Sequence, residues 1–354
     1  MPRLEARTET PRALLVGAPL AAIAFTLLIS SLLVAWAGAP VGQAYALLLQ
    51  GGFGSRFAWT ETLTRATPLI FTGLAAALAF RARLFNIGAE GQLYAGALAA
   101  VAVGGLHGGS GYGAPAWLLF PLMLAAAALA GAALLLVPAW LKSRLAVDEV
   151  VTTLLLNFIV LLFVGAMLDG PMKDPTAMGW PQSVAIQDSL QLGKLIERSR
   201  VHSGLLLALA CASAAWFVLQ HTVFGFRLRA VGSGARAAAF AGIPVGWTTV
   251  KVALLSGALA GLAGAVEVAG RAGYVTLDMS PGYGYTGIVI AMLAALHPLF
   301  VVAAAVFVAG ILVGADSMSR AVGVPTYIAD VIVAVALIAM LVATLFTQVR
   351  VRWR

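Results

Sequence analysis

The chain repeatedly runs for about twenty residues with no charge or at most two, and that limits what it can fold into. Runs near 13–37, 115–140, 148–168, 204–220, 248–268 and 327–347 are long and apolar enough to cross a bilayer's hydrocarbon core. Backbone amides have no partner in lipid, so each crossing is expected to be a helix that satisfies its own hydrogen bonds. Shorter runs at 66–81, 84–104, 284–296 and 298–314 bring the expectation to about ten membrane segments. The composition agrees: 61% of the 354 residues are hydrophobic and only 10% charged, against roughly a quarter charged in soluble domains. The predicted fold is all-α, a polytopic transmembrane helix bundle forming a single transmembrane domain over 1–354, with its membrane region at 13–347.

The formal charge of +8 does not point to nucleic acid, because the basic residues are scattered between apolar runs and not gathered on one face. In a membrane protein such charges set orientation. With the N-terminus inside, 14 of the 22 Lys and Arg fall on the cytoplasmic side and 8 outside. Four of those eight lie in the long loop 169–203, which is expected to be extracytoplasmic and to offer a surface to a partner. Both termini are then cytoplasmic. Arg3, Arg7 and Arg12 precede the first apolar run, which is too long for a signal-peptide core and is expected to remain as the first span. Residues 38–65, interrupted by Gly51, Gly52 and Gly54, read as a re-entrant or interfacial element on the outer side. The lone Cys211 sits in an apolar run and reads as a buried, inert thiol.

No catalytic constellation is present in the sequence. The four histidines form no metal-ligand pattern, and there is no phosphate-binding Gly-rich loop followed by Lys and Ser or Thr. ATP and Mg, if used, must bind to another polypeptide. The polar residues inside apolar stretches are therefore the candidates, since such groups usually face a cavity or another helix. Asn86 and Glu90 are spaced i, i+4, which on a continuous helix puts an amide and a carboxyl on one face, with Gln92 turned to a different contact. Asn157 lies two turns beyond Glu149 and is a candidate to line a pathway. Asp148 and Glu149 suit a first helical turn, and Glu267 is placed to pair with Arg271 at i+4. Gly282-Tyr-Gly-Tyr-Thr-Gly287 reads as a tight turn into a short helix whose free N–H groups point into the bundle, with Tyr283 and Tyr285 able to stack on a flat solute. A span followed by a polar, Gly-containing entry into the next recurs around 66–100 and 249–296, as in an inverted repeat. An ion-gradient carrier, with Glu90 or Glu267 moving a proton, is the alternative transport reading.

Residues 221–247 differ from the rest. A basic turn leads to Gly232 and Gly234, an Ala-rich helix is expected at about 235–241, and Gly242 and Pro244 end it. A short helix between spans on the cytoplasmic face is a docking element for a soluble partner.

Four segments carry a family resemblance: Phe85-Asn-Ile-Gly-Ala-Glu-Gly-Gln92, Asp148-Glu-Val-Val-Thr-Thr-Leu-Leu-Leu-Asn-Phe158, Asp169-Gly-Pro-Met-Lys-Asp-Pro175 and Gly282-Tyr-Gly-Tyr-Thr-Gly-Ile288. Together they resemble the membrane permease subunits of ABC importers for nucleosides and simple sugars, relatives of the ribose and branched-chain amino acid permeases. The resemblance covers most of 60–345. In such a subunit the polar and aromatic candidates Asn86, Glu90, Gln92, Asn157, Tyr283 and Tyr285 are expected along the substrate pathway. The resemblance implies a coupling helix in Arg229–Ile243, with Arg229, Gly232, Arg236, Ala238, Ala239 and Gly242 seating in an ATPase subunit. Gly234-Ala235-Arg236 stands where relatives more often carry Asn-Pro-Glu. The partners so implied are cytoplasmic ATP-binding subunits, a second homologous permease, an extracytoplasmic substrate-binding lipoprotein and the lipid bilayer. The implied location is the bacterial inner membrane, and the implied cargo a nucleoside, with a sugar second.

Overall fold

The structure is a computed structural model, and it describes residues 3–6, 11–106, 111, 113–323 and, further on, 327, 331, 334, 335, 338, 339, 342, 343 and 349–352. The predicted segment 327–347 thus lies largely outside the described residues. Twelve helices follow in order among the described residues: α1 (Arg12–Trp36), α2 (Val41–Phe53), α3 (Arg56–Arg81), α4 (Ala89–Gly104), α5 (Ala116–Leu145), α6 (Glu149–Asp169), α7 (Gly204–His221), α8 (Val223–Ser233), α9 (Ala235–Phe240), α10 (Val245–Glu267), α11 (Tyr283–Leu293) and α12 (Pro298–Val322). Apart from one short antiparallel pairing of Arg3–Ala6 with Val349–Arg352, the architecture is helical. Among the described residues six helices are long and apolar enough to cross a membrane, or seven spans if the bent pair α1–α2 is one of them.

The chain divides into two compact units. One comprises residues 1–62 and 307–354, the other 63–306. In the first, α1 and α2 are bent by 114°. Tyr45 closes the bend by donating its hydroxyl to the Leu27 carbonyl at 2.7 Å. Gly52 and Gly314 bring α2 against the end of α12, where a β-carbon at either would strike backbone. The outer element expected over 38–65 is corrected here. Its second half is helix, because α3 begins at Arg56 and runs unbroken through Pro68 to Arg81.

In the second unit, α4, α5 and α10 pack through small residues. Gly96 lies against Gly261, Gly131 against Gly257, and Gly264 against the Leu93 carbonyl, with no room for a side chain at any of them. Without a hydrophobic drive between helices in lipid, close backbone approach supplies the packing energy. Asp148 caps α6 by accepting from Val150 N–H at 2.8 Å, and Glu149 opens its first turn. The loop between α6 and α7 holds itself by single strand-like bridges, such as Lys173 to Ser183 and Lys194 to His202. His202 in that loop is buried, and burial pushes its imidazole down to about 4. Cys211 is half-buried in α7 and not enclosed as its apolar run implies, because α7 turns much of its apolar surface outward.

Candidate functional site

Helix α3 ends at Arg81 and α4 begins at Ala89, so residues 82–88 form an irregular joint inside the second unit. Non-helical backbone at such depth must be satisfied by its neighbours. Helix α6 supplies the partners from one stripe spaced by four. The Glu149 carboxylate accepts from Phe85 N–H at 3.2 Å, the Thr153 hydroxyl accepts from Ile87 N–H at 3.2 Å, and Asn157 Oδ1 accepts from Gly91 N–H at 2.8 Å. Asn157 Nδ2 returns a bond to the Ile87 carbonyl at 2.9 Å. Lys142 of α5 ties the stripe down, pairing with Glu149 and donating to the Arg83 carbonyl.

Within the joint, Asn86 turns inward. Its Oδ1 accepts from Gly88 N–H at 3.0 Å, an Asx-type turn that leads the chain into α4. Its amide and that of Gln92 bond each other twice, Nδ2 to Oε1 and Nε2 to Oδ1, both at 2.9 Å. Asn86 Nδ2 also reaches Ser256 of α10 at 3.1 Å, and Ser256 in turn donates to the Ala75 carbonyl of α3 at 2.7 Å. The expectation that Asn86 and Glu90 share a helix face while Gln92 points elsewhere is therefore overturned. The helix starts only after Gly88, so the i, i+4 geometry does not hold for Asn86, and Gln92 becomes its closest partner.

Glu90 instead faces the start of α11. Its Oε2 accepts from Gly284 N–H at 2.6 Å, and Ser280 and the Gly282 backbone add bonds to the same carboxylate. A carboxylate at a helix N-terminus also meets the positive end of the helix dipole. Gly282 takes φ +83°, which a side chain would resist, and a β-carbon at Gly284 would collide with the α4 backbone at Glu90. Ser280 Oγ accepts from Tyr283 N–H at 3.0 Å, and Thr72 donates to the Tyr283 carbonyl at 2.9 Å. Two of the N–H groups at this helix start, those of Tyr283 and Gly284, expected to be free for solute atoms, are thus taken by the protein's own side chains.

Of the six residues expected along a pathway, Asn86, Glu90, Gln92, Asn157 and Tyr283 are buried, and Tyr285 is the open one, with 38% of its surface exposed. Asn157 Nδ2 contacts the Tyr285 hydroxyl at 3.1 Å and fixes that ring's far end. Sequence reasoning missed Thr72, Thr153, Ser256 and Ser280. The signal for Thr153 is its place midway between Glu149 and Asn157. Glu267, the last residue of α10, does pair with Arg271 in the π-helical turn Val268–Ala272 that follows.

The 221–247 segment is a pair of short helices, α8 and α9, broken at Gly234, whose backbone is extended. Gly232 rests on the Arg81 carbonyl at the end of α3, and Arg229 donates to the Leu219 carbonyl of α7. Arg229 and Gly232 therefore anchor the segment. Gly242, at φ +79°, stops α9 just before Pro244. Ala238 is buried beneath α9, while Arg236, Ala239, Gly242 and, above all, Phe240 at 97% exposure face outward.

The family described as branched-chain amino acid transport system / permease component matches this chain over residues 58–341. The chain belongs to that family. Among curated relatives, the glucose ABC transporter permease protein TsgB13 of Haloferax volcanii is 37% identical over 360 residues, covering 99% of this chain and 93% of that protein. The guanosine ABC transporter permease protein NupP of Bacillus subtilis is 36% identical, covering 90% of this chain and 91% of its own length. A second Bacillus subtilis protein, the guanosine ABC transporter permease protein NupQ, is 31% identical over 70% of this chain and 77% of its own. The chain is a multi-pass membrane permease of the ABC transporter kind, a transport subunit.

Proposed function

We propose that this permease carries a nucleoside into the cytoplasm, with a simple sugar as the second choice of cargo. It works as one transmembrane half beside a second homologous permease. That pairing is supported by two related guanosine permeases in one organism, which resemble this chain at 36% and 31% identity. ATP and Mg bind to separate cytoplasmic ATP-binding subunits, and an extracytoplasmic substrate-binding lipoprotein delivers the cargo. The complex sits in the bacterial inner membrane as one permease domain with both termini in the cytoplasm. Counting α4, α11 and the 327–347 segment with the longer helices gives about ten membrane segments. The α3–α4 and α10–α11 pairs, each a long helix, a break and a shorter helix, make the inverted repeat.

The observation that carries this reading is the α8–α9 segment. A coupling element needs a rigid base and an open face. Gly232, Arg229 and Ala238 supply the base, and Ala239 and Phe240 the face. The exposed Tyr285 ring favours a flat base over a bare sugar as cargo.

Uptake of labelled guanosine and glucose into vesicles holding the complete complex tests the reading. ATP-dependent, vanadate-sensitive guanosine uptake, with an ATPase retained on purification, is expected. Uptake driven by a proton gradient and indifferent to vanadate overturns it. For orientation, cysteines replacing the exposed Ser189 and Ser233 in a Cys211→Ser background should label from outside and only after permeabilisation, respectively.

A further inference from the structure

Between the C-terminal half of α5 and the first turns of α10 runs an open groove of about 1000 Å³. Its floor is apolar, formed by Leu136, Val137, Val250 and Leu254. Toward the ends of the two helices its character changes. Trp140 and Trp247, each more than half exposed, flank it there, and Ser143 and Arg144 close its end beside Gly246. Lys251 lies next to this rim, its ammonium 5.4 Å from the centre of the Trp247 ring.

The cations at this rim are uncommitted. The neighbouring Lys142 is consumed by Glu149 and the Arg83 carbonyl. Among the described residues Arg144 has no hydrogen bond or ion pair, and Lys251 has only its contact with Trp247. The groove lining contains no acid. Helix α10 starts at this same end behind Pro244, with no side chain capping its first N–H groups, so its positive pole adds to the two cations.

An apolar trough, a pair of interfacial tryptophans and a cationic cap match, in that order, an acyl chain, the glycerol level and a phosphate. We infer that this groove is a binding site for an anionic phospholipid of the surrounding bilayer, with Arg144 and Lys251 holding its phosphate. A second permease of the same kind is a poorer occupant, because its own cations would meet these. The inference stands apart from the cargo and coupling assignments and holds for either orientation in the membrane.

The test is native mass spectrometry of the assembled complex after detergent exchange in the presence of phosphatidylglycerol or phosphatidylcholine. Retained phosphatidylglycerol and no retained phosphatidylcholine are expected. Removing the cations with Arg144→Gln and Lys251→Gln should lower retention roughly fivefold each, while Arg144→Lys keeps it. Equal retention of both lipids, or unchanged phosphatidylglycerol in the double Gln variant, overturns the site. A cysteine at Val137 in a Cys211→Ser background supplies a second measurement. Efficient short-span cross-linking of that cysteine to the other permease in native membranes means that protein fills the groove, and also overturns it. Its absence, with phosphatidylglycerol retained, supports the lipid.

Discussion

The joint at 82–88 with the first turn of α4 and the short helices at 223–242 both interrupt the succession of spans, and they treat their polar and exposed groups in opposite ways. In and around the joint, Asn86, Glu90, Gln92 and, from α6, Asn157 are buried and each is bonded to protein. In the other segment, α9 keeps a small buried foot at Ala238 and turns Arg236, Ala239 and Phe240 outward. The first region is built to hold shape where no water can relieve an unpaired amide. The second leaves one face open. Sequence polarity draws attention to the joint, while the Ala-rich segment looks bland.

The largest expected effect breaks the joint. Asn157→Leu strips the Gly91 N–H and the Ile87 carbonyl of their partners. Each orphaned buried group costs about 1–3 kcal/mol. Melting of the solubilised protein should shift down by several degrees and the yield of folded protein should fall. An unchanged melting point with lost uptake would instead make Asn157 a cargo contact.

Next comes bulk on α9. Ala239→Trp should cut uptake at least tenfold while melting stays at the wild-type value, because Ala239 faces outward. Ala238→Trp, one residue earlier, must find room beneath the helix and should lower melting as well. Uptake at the normal rate in Ala239→Trp would remove this face from coupling.

Glu90 separates charge from hydrogen bonding. Glu90→Gln keeps an oxygen for Gly284 N–H, whereas Glu90→Leu leaves that donor unpaired. The Leu variant should lose roughly ten- to a hundredfold in uptake and the Gln variant only a small part of that. Equal losses in both would show that the negative charge itself is required.

Much of the fold was legible because apolar run length is a direct physical requirement for crossing a bilayer. Helices α1, α6 and α7 begin and end within a residue or so of the runs that predict them, while α5 starts where its run does and continues through Ser143 to Leu145. The α9 helix was legible too, because Gly234, Gly242 and Pro244 punctuate it locally. The joint was not. Reading Asn86 and Glu90 as i, i+4 assumes a helix through Gly88, and the Asx turn of Asn86 onto Gly88 N–H defeats that assumption. Asn before a Gly two residues on is a turn signal, and weighing it above periodicity would have placed the helix start correctly. The partners of the joint, Ser256 and Thr153, come from helices 170 and 66 residues away in the chain, and local pattern carries no record of such contacts.

The smallest effect is expected at Arg236, and it sharpens what kind of contact α9 makes. Arg236 is exposed on the same short helix as Ala239 and Phe240. An exposed ion pair with a partner subunit contributes about 0–1 kcal/mol, because water screens the charge and ordering a long side chain costs entropy. Shape complementarity around Phe240 is not screened in this way. Arg236→Gln should therefore change uptake by no more than about fivefold, and raising the salt concentration should narrow the gap between variant and wild type. Phe240→Ala, which removes the most exposed aromatic ring of the segment, should cost more than Arg236→Gln in the same vesicles. The reverse order would mean that charge, and not fit, carries the contact.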